Sequence, residues 1–143
     1  MSSYLFTGTL GENVALGMPS AGDEEIPGAL ELVGLGPWVE GLHEGLETFV
    51  GEGGSMVSGG QRQRNAAARC ILGEARFMVF DEPAAHLDPD GALSLETALV
   101  KGRARGAGVF VITHAIADPA NFDRVLELDG SHSVREKNRT QAG

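Results

Sequence analysis

The sequence predicts an α/β protein, with a layered sheet in its second half approached through a first stretch of short helices and loops. Three observations carry this expectation. Residues 77–80 and 109–112 are short, continuous apolar runs of the kind that form buried parallel strands. Residues 88–105, between them, carry a helical apolar face, and strand, helix, strand in succession marks a layered α/β sheet. Before residue 43, apolar residues recur every three to four positions, a helical period.

Within residues 23–42, Ile26, Leu30, Val33 and Leu35, then Trp38, Val39 and Leu42, hold that period, and residues 34–37 divide them into two short helices. Residues 45–60 are glycine-rich and weakly periodic, a loop feeding the next helix. There, over residues 58–73, Ala66, Ala67, Cys70 and Ile71 restore helical spacing and Gly73 supplies a stop. The run at 77–80 ends in Asp81 and Glu82, so it delivers two carboxylates at a strand's C-terminal end, where open α/β sheets place chemistry. Asp88 before Pro89 reads as an N-cap with proline in the first helical position; Leu95 and Leu99 then face the core, and Gly106 and Gly108 end the helix. Residues 124–128 alternate as a third strand, and Asp129 with Gly130 predicts a two-residue hairpin turn into residues 131–135.

The chain's 143 residues suffice for one core that buries roughly 70% of the unfolded surface. Its 21 glycines, about twice the usual ~7%, follow no G-X-Y period and so mark turns and close backbone approaches. Eleven basic against twenty acidic residues leave a net charge of −9, which argues against a nucleic-acid partner because no stripe can neutralise phosphates. The single Cys70 cannot form an internal disulfide, and no Cys or His cluster has zinc-ligand spacing, as suits a reducing compartment. No apolar run approaches the ~20 residues that span a bilayer, so any membrane role is expected to come through a partner.

Residues 58–64, SGGQRQR, put a hydroxyl and two side-chain-free residues at a helix start, where unpaired N–H groups and the positive end of the helix dipole favour an anion. A glycine turn closed by a serine cap accounts for an isolated Ser-Gly-Gly equally well. The seven-residue string is more specific. It resembles the signature motif of the ATP-binding-cassette (ABC) family, LSGGQRQR, with Val57 in place of the leucine. The resemblance continues in family order: residues 77–82 resemble the Walker B strand, residues 82–88 (EPAAHLD) the D-loop region, and His114, closing VFVITH, the switch histidine.

The resemblance implies ATP and Mg²⁺ as ligands. Asp81 is then the magnesium-side acid and Glu82 the general base, adjacent because side chains diverge on a strand, one toward the metal shell and one toward the attacking water. Strand-end acids also cap following helices, which is the other reading of this pair. His114 is implied to contact the γ-phosphate and help hold the attacking water; a core histidine at a strand end is its alternative. Ser58, Gly59, Gly60 and Gln61 are implied to touch the nucleotide of an opposing subunit in a head-to-tail dimer, with Asp88 of the D-loop in the same nucleotide-binding set. Residues 48–54, TFVGEGG, are similar to the TEVGERG-like stretch of ABC exporters beside the coupling helices, with Phe49 and Gly53 departing from it. Residues 4–17, YLFTGTLGENVALG, are similar to the exporter segment FLFSGTIRENIALG that follows the Q-loop. These similarities imply a transmembrane exporter domain as partner and a cytoplasmic site on the inner membrane face. AHLD at 85–88, where most exporters carry SALD, is similar to the thiol exporters of cytochrome bd assembly; ordinary D-loop drift explains it as well.

No G-x-x-x-x-G-K-[ST] occurs: the only lysines are Lys101, between Val100 and Gly102, and Lys137, between Glu136 and Asn138. The exporter alignment puts Met1 where the Q-loop glutamine belongs. The expectation is therefore a partial P-loop NTPase (RecA-like) core with the ABC helical subdomain. Residues 1–73 hold the post-Q-loop segment, helical subdomain and signature helix, 74–136 the Walker B half of the core, and 137–143 a polar tail. The resemblance places the P-loop strand between the His114 strand and that of residues 124–128; without it, two apolar edges and a core face lie exposed. Little or no ATP hydrolysis is expected of the chain alone, since ATP and Mg²⁺ need a P-loop supplied elsewhere. The function read is the C-terminal part of an exporter ATP-binding domain. The alternatives are a non-catalytic partner module supplying the signature motif in trans, or a truncated fragment without independent activity. ABC ATPases of DNA repair share SGG and Walker B, but the exporter-like segments argue against them.

Overall fold

The computed structural model describes residues 4–16, 18, 20–22, 24–52, 55–73, 76–85, 87–102, 106–128 and 134–137. Helix α1 (Leu10–Ala15) starts at a capping box in which Thr9 Oγ1 accepts from Glu12 N–H and the Glu12 carboxylate accepts from Thr9 N–H. Helices α2 (Glu25–Leu32) and α3 (Gly36–Glu40) are separated as the spacing predicts, and Gly34 turns the chain between them at φ +72°, a left-handed conformation that glycine adopts without steric penalty. A 3₁₀ turn (Gly45–Glu47) leads toward α4 (Gly59–Leu72).

Helix α4 is the hub of this half. Its Ala66, Ala67 and Ala68 are buried, and their small side chains let α1 and α2 pack close to it. Val14, Leu30, Val33, Leu35, Ile71 and Leu72 close the core, which continues into Met78, Phe80, Leu95 and Leu99 of the second half. A smaller cluster of Leu5, Leu10 and Val50 lies beside it.

In the second half β1 (Phe77–Asp81) and β2 (Gly108–Ile112) pair in parallel, Phe77 opposite Gly108 and Asp81 opposite Ile112. They are joined through α5 (Pro89–Gly102). The cap at Asp88 is present, its Oδ1 accepting from Gly91 N–H at 2.8 Å. The helix is described as far as Gly102, and its expected continuation to 105 lies outside the described residues. Strand β1 is buried on one face only, which agrees with the expected exposed core face and not with a strand covered on both sides. Met78 and Phe80 are buried against the helices, whereas Phe77 is 82% exposed and Val79, Phe110 and Ile112 share its open side, because among the described residues no second layer covers it.

The third expected strand is shorter than predicted: β3 (Leu126–Leu128) pairs antiparallel with β4 (Val134–Glu136) in a separate ribbon, and Arg124 Nε meets Glu136 Oε1 at 3.1 Å. The pairing has the sense of the predicted hairpin, whose turn at Asp129 and Gly130 lies outside the described residues. Between the open face of β1–β2 and this ribbon runs an open groove of about 1870 Å³. Among the described residues no helix is long and apolar enough to cross a membrane.

Candidate functional site

Ser58 ends the glycine-rich loop in extended backbone and caps α4: its Oγ accepts from Gln61 N–H at 3.2 Å, and Gln61 Oε1 accepts from Ser58 N–H at 2.7 Å. This reciprocal box satisfies the N–H of Gln61, while the first intrahelical bond is Arg62 N–H to Ser58 C=O. The N–H groups of Gly59 and Gly60 precede that bond, and the positive end of a 14-residue helix lies with them. Ser58, Gly59, Gly60, Arg64, Leu87 and Asp88 line one cleft of about 520 Å³. The sequence-predicted Ser58, Gly59, Gly60 and Asp88 therefore meet, and Gln61 serves them by holding the cap.

Asp81, Glu82 and His114 gather at the C-terminal end of the parallel pair. Asp81 is the last residue of β1, exposed on the open side and facing the large groove. Glu82 departs from the expectation of two carboxylates diverging along a strand. Its N–H still bonds Ile112 C=O at 2.8 Å, but at φ +47° its backbone is left-handed, and this turn, not the pleat, aims its side chain. The Glu82 carboxylate accepts from His114 N–H at 3.0 Å and from Thr113 Oγ1 at 3.3 Å, and it stands 3.4 Å from His114 Nε2.

Two open alternatives close here. The His114 side chain is 99% exposed, so it is no core histidine. Glu82 bonds the turn after β2, while Asp88 caps α5, so Glu82 is no helix cap.

Sequence reasoning missed three supports of this arrangement. Gln63 Nε2 donates to Glu82 C=O at 2.6 Å, and nothing in a polar run distinguishes it. The single Thr113 hydroxyl proton has two acceptors in reach, Ala115 C=O at 2.7 Å and the Glu82 carboxylate at 3.3 Å, and the oxygen accepts from Ala115 N–H. Glu96 is 2% exposed, and its two oxygens accept from Ala117 and Asp118 N–H at 2.8 and 3.0 Å, pinning the segment that follows His114 to α5. A carboxylate abutting the Leu95–Leu99 apolar stripe was a readable signal for that role. Among the described residues no group of three or more His, Cys, Asp or Glu side chains could by itself hold a metal ion.

A sequence model of the family described as ABC transporter matches residues 7–85. The chain belongs to the ABC transporter family. It is 34% identical over 139 residues to the uncharacterized ABC transporter ATP-binding protein YknV of Bacillus subtilis, covering 97% of this chain and 23% of that protein. To the glutathione/L-cysteine transport system ATP-binding/permease protein CydC of the same organism it is 38% identical over 127 residues, 89% of this chain and 22% of that one. To the mitochondrial iron-sulfur clusters transporter ATM1 of Saccharomyces cerevisiae it is 38% identical over 136 residues, 94% and 20%. A solved structure of a bacterial Atm1-family ABC exporter with ATP bound superposes with a TM-score of 0.77 at 30% identity, covering 88% of this chain and 22% of that chain. The chain thus spans about a fifth to a quarter of the length of these ABC transporters. Its fold is that of an ABC exporter's ATP-binding domain, a P-loop NTPase fold, and ATP with Mg²⁺ is the family's general currency.

Proposed function

We propose that this chain supplies the Walker B element of one ATP site and the signature element of the opposing one in the head-to-tail pair of sites that drives an ABC exporter. The supporting observation is the convergence of Asp81, Glu82 and His114 at one end of the parallel strands, together with a separate cleft that joins the α4 N-terminus to Asp88. In this reading residues 1–73 hold the post-Q-loop segment, the helical subdomain and its signature helix, 74–136 the Walker B half of the core, and 137–143 a polar tail.

The residues present fit phosphates and a hard cation. The N–H groups of Gly59 and Gly60 suit phosphate oxygens, and Ser58 Oγ, which accepts from Gln61, keeps its own proton for a phosphate oxygen. Asp81 offers an exposed carboxylate, and Mg²⁺ is ordinarily bound by one or two carboxylates together with substrate phosphates and water. When bound, Mg²⁺ would neutralise charge on the phosphates. Glu82 is the proton acceptor for the attacking water: a carboxylate has about four acceptor sites, and Thr113 and His114 N–H occupy two. The exposed His114 imidazole, beside that carboxylate, orients the water and meets the terminal phosphate.

The 143 residues hold no P-loop sequence, so this chemistry calls for one from elsewhere in the assembly, along with a transmembrane exporter domain and a second ATP-binding domain docked head to tail at the cytoplasmic face. Relatives of similar identity are named for different cargos, glutathione/L-cysteine, iron-sulfur clusters and lipid A-core, which fits an ATP-driven element shared across cargos.

The test is Mg-ATP calorimetry with phosphate release, on the chain alone and with a P-loop-bearing ATP-binding domain. Neither binding nor turnover is expected alone. In the turning-over assembly, Glu82→Gln should lower turnover about 10²–10⁴-fold with ATP binding intact. Unchanged turnover refutes the base assignment, and stoichiometric binding with turnover by the chain alone refutes the need for an external P-loop.

A further inference from the structure

We propose that Gln63 is a positioning residue that ties helix α4 to the backbone of Glu82 and thereby sets where the Glu82 carboxylate points. The argument begins with Glu82 itself, whose φ of +47° is the only positive φ of a non-glycine residue among the described residues. Such a conformation persists only where neighbouring bonds over-determine it. Three do so here. The Glu82 N–H is held by Ile112 C=O at 2.8 Å, and its carbonyl accepts from Ala85 N–H at 3.2 Å and from Gln63 Nε2 at 2.6 Å. The first two bonds belong to the strand end and the turn that follows it. Only the third reaches Glu82 from another helix.

The Gln63 amide is committed to this one task. Its Oε1 is buried and has no partner among the described residues, so the side chain forgoes an acceptor bond to keep Nε2 on the Glu82 carbonyl. Turning the amide over would set two oxygens against each other, which fixes its orientation. Gln63 lies one helical turn beyond Gly59 on the same helix whose first turn lines the Ser58 and Asp88 cleft. A shift at that cleft therefore moves Gln63 with the helix, and with it the Glu82 peptide. From Glu82 the path continues through its carboxylate to Thr113 Oγ1 and His114 N–H. The consequence for hydrolysis rests on the reading of Glu82 as the base; the link itself does not.

The test uses the full 143-residue chain with ¹³C- and ¹⁵N-labelled Glu82 and His114 followed by NMR. Gln63→Met keeps the length of the side chain and removes the donor, and Gln63→Glu sets a carboxylate oxygen against the carbonyl. Both should move the Glu82 Cα and Cβ shifts away from left-handed values and shift the His114 backbone amide resonance, whose N–H bonds the Glu82 carboxylate. Gln63→Lys, which restores an N–H donor, should return both signals toward wild type. In the hydrolysing assembly Gln63→Met should lower kcat about tenfold with KM unchanged. Wild-type Glu82 and His114 signals in both donor-less variants overturn the proposal, as does failure of the lysine to restore them. Because the spectra read the link without turnover, a silent Glu82→Gln variant would remove the base assignment and leave this result to stand or fall separately.

Discussion

The two halves of the chain handle apolar surface in opposite ways. In the helical half, up to Leu72, α4 is enclosed by α1 and α2, and Val14, Val33 and Ala68 are wholly buried. In the strand half the β1–β2 pair is covered by helices on one side only, and Phe77, Val79, Phe110 and Ile112 stand open to the groove. An amphipathic helix needs one apolar neighbour, whereas a continuous apolar strand such as FMVF is written for two. The helical half carries its own neighbours, and among the described residues the strand half carries one of its two layers.

Paired substitutions put that contrast to the largest test. Leu30, 1% exposed within the helical core, should cost about 2–5 kcal/mol when changed to alanine, through lost transfer energy and the cavity left behind. Phe110→Ser, on the open face, should move stability by no more than about 0.5 kcal/mol and reduce self-association. Urea unfolding with sedimentation of both variants decides it. Equal costs would mean that the open face is packed in solution, and the contrast would be lost.

A second substitution sharpens the picture from inside the better packed half. Asn65 on α4 is 1% exposed, and neither atom of its amide has a partner among the described residues. A buried polar group without a hydrogen bond costs free energy, so Asn65→Leu should stabilise the chain by about 1–3 kcal/mol, read as a raised urea midpoint. A lowered midpoint would show that the amide is bonded or that the site cannot take the leucine shape.

These residues also mark where the sequence was legible. Periodicity located α2, α3, α4 and α5, because an apolar stripe must meet a core wherever that core lies, and the resemblance brought Ser58, Asp81, Glu82, Asp88 and His114 into the two neighbourhoods found. The direction of Glu82 was not legible, since a left-handed φ at a glutamate is imposed by bonds from distant segments rather than by its own propensity. Gln63 escaped for the same reason. Its partner lies 19 residues away in Glu82, and only the assembled fold brings the two together.

The smallest expected effect falls at the seam between the halves. Cys70, on α4 in the shell of the core, has its thiol pushed above the ordinary value by burial, against a weaker opposing pull from the Arg69 charge. Its neutral form is thus favoured by the fold, and alkylation by iodoacetamide near neutral pH should run slower than for an unfolded control, because the thiolate is the reactive species. The linkage has a definite sign. With the folded pKa above the unfolded one, the stability contribution is full below the unfolded pKa and is lost as pH rises through the folded pKa. Cys70→Ala removes that alkaline loss while also removing a partly buried side chain, so the pH dependence of the unfolding midpoint, rather than its absolute value, is the quantity to compare. An unchanged alkaline slope in the variant would place the thiol in water and would move the boundary of the packed half inward from α4.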